Sequence, residues 1–209
     1  MSIQFDKVQP KNKEQLKQLI NYAFKHDIYD LNFIDTSKIT DMSWLFENVK
    51  HNFDISSWDV SNAKDMSYMF QFCYDLNCDL SSWDVSNVTN TKYMFACCEK
   101  FNCDLSNWNV SNVTNMSHMF FYCENFDINC FKSWDVSNVE NTSYMFYNCK
   151  NFNCDLSNWN VSNVTCMYFM FGRCKQFNCD LSHWNTSKIK NMKCMFKGCN
   201  RLTIPNWYK

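Results

Sequence analysis

Glycine and proline are almost missing from this chain, which contains only two of each among its 209 residues. Average proteins use roughly 7% glycine and 5% proline, so tight turns built on these residues cannot be what folds the chain back on itself. Apolar side chains, by contrast, make up 46% of the sequence and aromatic side chains 18%. This supply of core-forming residues excludes an intrinsically disordered protein.

Long apolar segments and clusters of one charge are missing as well. Without a run of about 18 apolar residues the sequence predicts no bilayer-spanning helix, and we expect no membrane insertion. The formal net charge is −1 and no basic run occurs, so we expect no nucleic-acid partner. Residues 1–16 lack the apolar segment of a secretory signal. The chain as written is therefore expected in the cytoplasm, or at the cell surface if an upstream signal is missing or export is non-classical.

Six tryptophans recur at an almost constant interval and reveal a repeat. They are separated by 25, 25, 26, 25 and 25 residues, and the single 26 reflects a one-residue insertion between Phe126 and Trp134. The consensus reads W-[DN]-V-S-N-V-x-N-M-x-x-M-F-x-x-C-x-x-F-N-C-D-L-S-x, and a fixed period of this size is typical of a solenoid. No linker interrupts the repeats, so they predict one domain. The tryptophans are Trp58, Trp83, Trp108, Trp134, Trp159 and Trp184.

Each repeat combines two kinds of periodicity. Trp-x-Val pairs such as Trp83 and Val85, preceded by a leucine such as Leu80, favour a short strand. The next segment, M-x-x-M-F-x-x-C, spaces its apolar residues as on one face of a short helix or 3₁₀ turn, for example from Met116 to Cys123. We therefore predict an α/β repeat fold, a right-handed solenoid of about seven coils. Short parallel strands would lie on one side and short helical or 3₁₀ turns on the other.

The segment before the first repeat predicts a helix that covers one end of the core. Asn12 and Gln15 form a capping signature for a helix over residues 12–25, and an apolar stripe follows it. The terminal repeats carry Thr36 and Thr186 where the central repeats carry valine. Terminal repeats face water, so these replacements are typical of polar capping.

These features divide the chain into three parts. Residues 1–34 hold the N-terminal capping helix and the lead-in to the repeats. Residues 35–204 form the solenoid. Residues 205–209 form a C-terminal cap, in which Pro205 interrupts pairing and Trp207 covers the last layer.

The runs W-D-V-S-N-V-T-N, M-F-x-x-C and F-N-x-D-L-S closely resemble the repeats of the BspA-like leucine-rich repeat family. The resemblance covers about residues 30–204, and six copies of the motif make it specific. It implies a leucine-rich-repeat-like solenoid and a role in adhesion, host interaction or protein binding, without catalytic residues. The chain departs from many family members by lacking a signal peptide and by placing cysteine where they have glycine. These cysteines are Cys78, Cys103, Cys154 and Cys179.

Fourteen cysteines fall into two columns, with one residue per repeat, and three single positions. In a chain without a secretory signal they are expected to be reduced. No C-x-x-C pair occurs, so buried structural thiols are the leading interpretation, with metal binding and redox sensing as alternatives. The first column is Cys73, Cys98, Cys123, Cys149, Cys174 and Cys199, the second is Cys78, Cys103, Cys130, Cys154 and Cys179, and the single positions are Cys97, Cys166 and Cys194.

Acidic residues and serines also recur in columns, without a pattern typical of catalysis. One acidic column exchanges Asp and Asn freely, as at Asp84 and Asn109, which turn hydrogen bonds tolerate and acid/base chemistry does not. Serine recurs in every repeat, whereas a nucleophile occurs once, beside a base. We therefore expect no enzyme, no cofactor and no metal. The other acidic column is Asp54, Asp79, Asp104, Asp155 and Asp180.

A further column is aromatic in nearly every repeat and is the predicted partner-binding site. It lies between the apolar positions of the M-x-x-M-F segment, so its rings are expected to face outward, where aromatic residues favour protein interfaces. The alternative is that the rings lie half-buried over the neighbouring repeat. This aromatic column consists of Trp44, Tyr68, Tyr93, His118, Tyr144 and Phe169.

Together these patterns favour a non-enzymatic scaffold for protein-protein interaction, expected to be a monomer. Outward pairs such as Glu99-Lys100 and Lys175-Gln176 change charge between repeats while the core stays constant. The alternative function is a solenoid that binds a ligand or metal through its stacked Cys or Asp columns. A polysaccharide-cleaving enzyme comes third, because it would need an acid and a base unique to one repeat.

Overall fold

The computed structural model of the chain describes residues 7–126 and 131–209. Within these ranges the regular structure consists of one α-helix and single parallel β-bridges, without a longer strand. No helix in this part of the chain is both long and apolar enough to cross a membrane. Residues 127–130, which hold Cys130 and part of the stretch predicted to carry the insertion, lie outside the described residues.

Helix α1 spans Lys13–Lys25 and lies where the capping signature predicts a helix. The Oδ1 atom of Asn12 accepts the backbone N–H of Gln15 at 3.0 Å, and Oε1 of Gln15 accepts the N–H of Lys11 at 2.9 Å. These bonds satisfy N–H groups that the start of a helix leaves unpaired. The apolar stripe of α1 is buried in the same core as the repeats, through Leu16, Ile20 and Ala23.

Successive repeats are joined by parallel backbone hydrogen bonds. The N–H of Met42 donates to the carbonyl of Asp65 at 2.8 Å, and the N–H of Trp44 donates to the carbonyl of Ser67 at 3.1 Å. The same alternation, at every second residue, joins each following pair of repeats. Single β-bridges mark the start of this ladder and connect Asp41, Asp65, Asn90, Asn115, Asn141, Cys166 and Asn191 in this order.

The backbone of the M-x-x-M-F segment is neither helix nor strand, because it enters the left-handed region twice in each repeat. In one repeat the φ angles of Tyr68 and Phe72 are 60° and 61°. Each such residue reverses the curvature that a helix would continue. The segment therefore buries the same face as a short helix would, while alternate N–H groups point at the next repeat.

The ladder lies on a different part of the repeat from the expected strands. The sequence predicts strands around residues such as Trp83 and Val85, but these residues lie between two turns, and the N–H of Trp83 closes the first by donating to the carbonyl of Leu80 at 3.2 Å. The bonds between repeats run instead through the segment expected to be helical or 3₁₀. The right-handed, leucine-rich-repeat-like class of the stack stays a prediction.

Aromatic rings form the centre of the core. The indole Nε1 of Trp108 donates to the carbonyl of Leu80, in the preceding repeat, at 2.9 Å. Near the C-terminus, Trp207 makes the same bond to Leu181 at 2.8 Å. One phenylalanine per repeat stacks on the next with ring centroids 5.5 to 5.9 Å apart. These residues are Phe46, Phe70, Phe95, Phe120, Phe146, Phe171 and Phe196.

Asp and Asn side chains form the turns that glycine and proline do not provide. In one central repeat, Asp79, Asp84 and Asn90 each accept the backbone N–H two residues ahead, at 2.9, 3.0 and 3.2 Å. An Asp or Asn in this role stabilises a bend without requiring an unusual backbone. The exchange of Asp and Asn at these positions follows from this role, since both offer the same oxygen.

Candidate functional site

The aromatic column forms one continuous stack of rings along the repeats. Successive ring centroids are 3.8, 4.8, 4.0, 4.7 and 5.3 Å apart, and the planes of neighbouring rings lie within 23° of parallel. These separations match the distance of about 4.8 Å between hydrogen-bonded neighbouring backbones. The structure thus brings together all six predicted residues, Trp44, Tyr68, Tyr93, His118, Tyr144 and Phe169.

Every residue of the aromatic column has a left-handed backbone, with φ between 52° and 63°. This conformation costs an ordinary residue about 1–3 kcal/mol. Two kinds of contact offset the cost. The N–H of each residue donates to the next repeat, as from Tyr68 to the Lys92 carbonyl at 2.8 Å, and each stacked ring pair contributes about 0.5–1.5 kcal/mol. The rings are therefore fixed by the fold rather than free to rotate.

The rings lie between the core and the solvent. Trp44 is 38% exposed, and the other five members are half-buried. Burial, with Tyr68 nearby, raises the pKa of Tyr93, while burial and a hydrogen bond with Tyr168 raise the pKa of Tyr144 to about 12. Because neighbours cover both faces of each inner ring, the exposed part is the ring edge. The column thus lies half-buried over the repeats, and it still presents a continuous outer surface.

His118 stacks in the middle of the aromatic column as an uncharged ring. It lies 4.0 Å from Tyr93 and 4.7 Å from Tyr144, measured between ring centroids. Its Nδ1 atom is buried and has no hydrogen-bond partner among the residues that the structure describes. Burial, together with the positive charge of Lys92, lowers the pKa of His118 to about 4. At neutral pH the column therefore carries no charge at this position.

A second group of rings, which the sequence analysis missed, packs against the C-terminal half of the aromatic column. Tyr147 contacts Tyr144 and Phe169 edge-on, with centroids 5.5 and 5.6 Å apart. Gly172 leaves room for this packing, because a Cβ atom there would lie 2.7 Å from the Tyr147 ring and 2.8 Å from the Phe169 ring. Gly172 is one of only two glycines in the chain, and it holds the repeat position that Tyr147 holds one repeat earlier. This rare glycine was a sequence signal that a large side chain packs there.

The first cysteine column is part of the core. The Sγ atom of Cys123 donates to the carbonyl of Phe95 at 3.0 Å, and the other five residues of the column make the same bond at 2.9 to 3.0 Å. Burial raises the pKa of Cys73 and Cys199 to about 12 and that of the four between them well above the ordinary value. These thiols stay protonated, which suits packing and disfavours metal ligation.

The carboxylates of the acidic columns accept hydrogen bonds within the turns of the fold. Hydrogen bonds from the hydroxyl and the N–H of Ser86 lower the pKa of Asp84, and those from Ser137 do the same for Asp135. Within residues 7–126 and 131–209, no group of three His, Cys, Asp or Glu side chains could hold a metal ion. The repeated carboxylates therefore act as hydrogen-bond acceptors for the turns.

Comparison with known proteins gives one informative result. A family model described as "Mycoplasma protein of unknown function, DUF285" matches residues 14–132 and 120–208, which together span most of the chain. No curated protein matches the chain, and no solved structure does.

Proposed function

The chain belongs to the repeat family described as Mycoplasma protein of unknown function, DUF285, and we propose that it is a non-enzymatic scaffold for protein-protein interaction. The partner would bind along the aromatic column. The observation that carries this proposal is the continuous stack of six rings, half-buried and open to solvent along one side.

The physical state of the aromatic column supports partner binding. Ordering flexible side chains at an interface costs about 0.5–1.5 kcal/mol for each one. Rings that are already held by stacking and by a fixed backbone avoid most of this cost. The phenol groups of Tyr93 and Tyr144 add hydrogen-bonding capacity to an apolar surface, a combination enriched at interface hot spots.

We further propose that the repeats are of the BspA-like leucine-rich repeat class and form a right-handed solenoid. The six motif copies support the class. The ladder of hydrogen bonds between consecutive repeats supports a stack that presents an extended face. Adhesion or host interaction would then be forms of the same binding role.

The alternative of a ligand-binding or metal-binding solenoid has weaker support. The Sγ of Cys123 already donates a hydrogen bond to the carbonyl of Phe95, and the carboxylate of Asp84 accepts one from the N–H of Ser86. Recruiting these groups to a metal would break hydrogen bonds that recur from repeat to repeat. A partner can contact the solvent-facing edges of the aromatic column without breaking these hydrogen bonds.

The test is to replace Tyr93 and Tyr144 by alanine together and to capture the partner from cells that express the chain. We expect the double variant to stay folded with a modestly lower Tm, because two half-buried rings lose their stacking. Binding should fall much more, since truncation of an interface hot spot costs about 2 kcal/mol or more. The matched control is Tyr22→Ala on α1, where the tyrosine is 61% exposed and lies outside the column.

Two results would contradict the proposal. One is full partner capture by a folded Tyr93→Ala/Tyr144→Ala variant. If that variant unfolds, the Tyr93→Leu/Tyr144→Leu variant retains most of the apolar volume, and undiminished capture by it would be the contradicting result.

A further inference from the structure

Charge is divided unevenly along the chain, although the total is close to zero. Residues 26–126 contain 14 acidic and five basic residues, whereas residues 181–209 contain six basic residues and no acidic one. A net charge of −1 conceals this division. An uneven charge distribution creates a field that attracts partners of opposite sign to one part of the surface.

A groove of about 470 Å³ lies between the C-terminal repeats, and its lining includes two uncharged residues of the basic segment 181–209. Its lining includes Lys150, Arg173 and Lys175 and one acidic residue, Glu124. At the repeat position of Lys150 and Lys175, the preceding repeats carry Glu99 and Glu124. The charge of this position is therefore reversed halfway along the stack, while the core residues around it do not change.

Only one of the three cations in the groove forms an ion pair within the described part of the chain. Lys150 pairs with Glu124 at 2.5 Å, and this bond lowers the pKa of Glu124. Arg173 and Lys175 form no ion pair with any residue that the structure describes. Cations outside an ion pair attract an anion, although the charge of Glu124 also acts on Lys175 and reduces the net positive charge of the groove.

The groove adjoins the aromatic column. The guanidinium of Arg173 lies 5.6 Å from the centre of the Tyr147 ring. The same ring contacts Tyr144 and Phe169 of the column, with centroids 5.5 and 5.6 Å away. A partner that lies along the C-terminal half of the column therefore reaches Arg173 without a gap.

We infer that this groove receives the acidic side chains of an extended, Asp- or Glu-rich segment of the protein partner. The inference rests on the proposed function and specifies the partner's chemistry. A guanidinium such as that of Arg173 binds a carboxylate through two parallel hydrogen bonds. The ionised Glu124 in the lining of the groove disfavours the continuous charge of a nucleic-acid backbone, whereas separated carboxylates can lie opposite Arg173 and Lys175.

The experiment measures binding of a labelled Glu-Ser repeat peptide to the whole chain by fluorescence anisotropy. We expect the Glu-Ser peptide to bind, its affinity to fall as salt is added, and a Gln-Ser peptide of equal length not to bind. The Arg173→Glu/Lys175→Glu variant should lose about tenfold or more in affinity. The control is Lys188→Glu/Lys190→Glu, which makes the same charge change outside the groove and should bind as the parent does.

Three outcomes would overturn the inference: no binding of the Glu-Ser peptide, an equal loss in the control variant, or tighter binding of single-stranded RNA or of anionic lipid vesicles. The proposed function is tested separately. If partner capture depends on Tyr93 and Tyr144 while the Arg173→Glu/Lys175→Glu variant captures normally, the scaffold function stands and the acidic-segment inference fails.

Discussion

At the scale of single residues, His118 gives the aromatic column a dependence on pH. A base whose folded-state pKa lies below its unfolded value binds fewer protons when folded. Its contribution to stability is complete above pH 6.5 and is lost as the pH falls towards 4, the pKa of the folded state. The carboxylates of the turns, such as Asp84 and Asp135, have pKa values lowered from 3.8, so their contribution is lost only at more acidic pH.

We therefore predict that the chain loses stability between pH 6.5 and pH 4 and that the His118→Phe variant loses less. Protonation would place a charge between two rings, close to Lys92. The expected loss is about 1–2 kcal/mol, smaller than the pKa difference alone implies because part of the ring contacts water. Thermal unfolding measured across this range checks it. His183→Gln, at an exposed site, should keep the parent's profile, and an unchanged profile in His118→Phe would refute the prediction.

At the scale of the repeat element, the first cysteine column predicts how the thiols react. Five of its six thiols are buried and that of Cys199 is half-buried. All six donate to backbone carbonyls and have raised pKa values, so the reactive thiolate is scarce. We expect most of the fourteen thiols to react with a thiol reagent only after denaturation. Half-buried Cys166 and Cys194 should be labelled first. Mass spectrometry of the labelled protein locates each site, and rapid native labelling of Cys123 would contradict the prediction.

The period, helix α1 and the alignment of the aromatic column could be predicted from the sequence, because each depends on residue spacing. The left-handed backbone of the M-x-x-M-F segment was harder to predict. One of its two positions carries Asn48, Asn148 and Gly198 in different repeats, residue types that favour this region, and it was a signal that the sequence offered. At the other position, aromatic residues such as Tyr68 and Tyr93 avoid left-handed φ, so local preference points to a helix instead.

The environment of His118 could not be predicted from its position in the sequence. A histidine that interrupts an aromatic series suggests an exposed or tolerant site. Its low pKa arises from burial between the rings of Tyr93 and Tyr144 and from the charge of Lys92. All three residues belong to the neighbouring repeats. Such contacts between repeats appear only once the register of the stack is known.

At the scale of the whole molecule, we predict that residues 35–204 form one continuous right-handed solenoid. The ladder of parallel hydrogen bonds and the single file of stacked phenylalanines leave no boundary within the described repeats at which two cores could separate. A crystal structure of the full chain checks this prediction. Two independent cores, antiparallel hairpins or a left-handed path in this region would refute it.

The uniform ladder also bears on how the gene can change. Each repeat donates through the same alternate N–H groups and accepts through the same carbonyls, so the ladder itself does not depend on which repeat lies beside which. Unequal crossing-over between similar coding segments would add or remove a whole repeat in frame. After such an event, the N–H and carbonyl groups of the ladder in the remaining repeats would still find partners in the new neighbouring repeat. The length of the binding surface can thus evolve separately from the stability of the repeats that compose it.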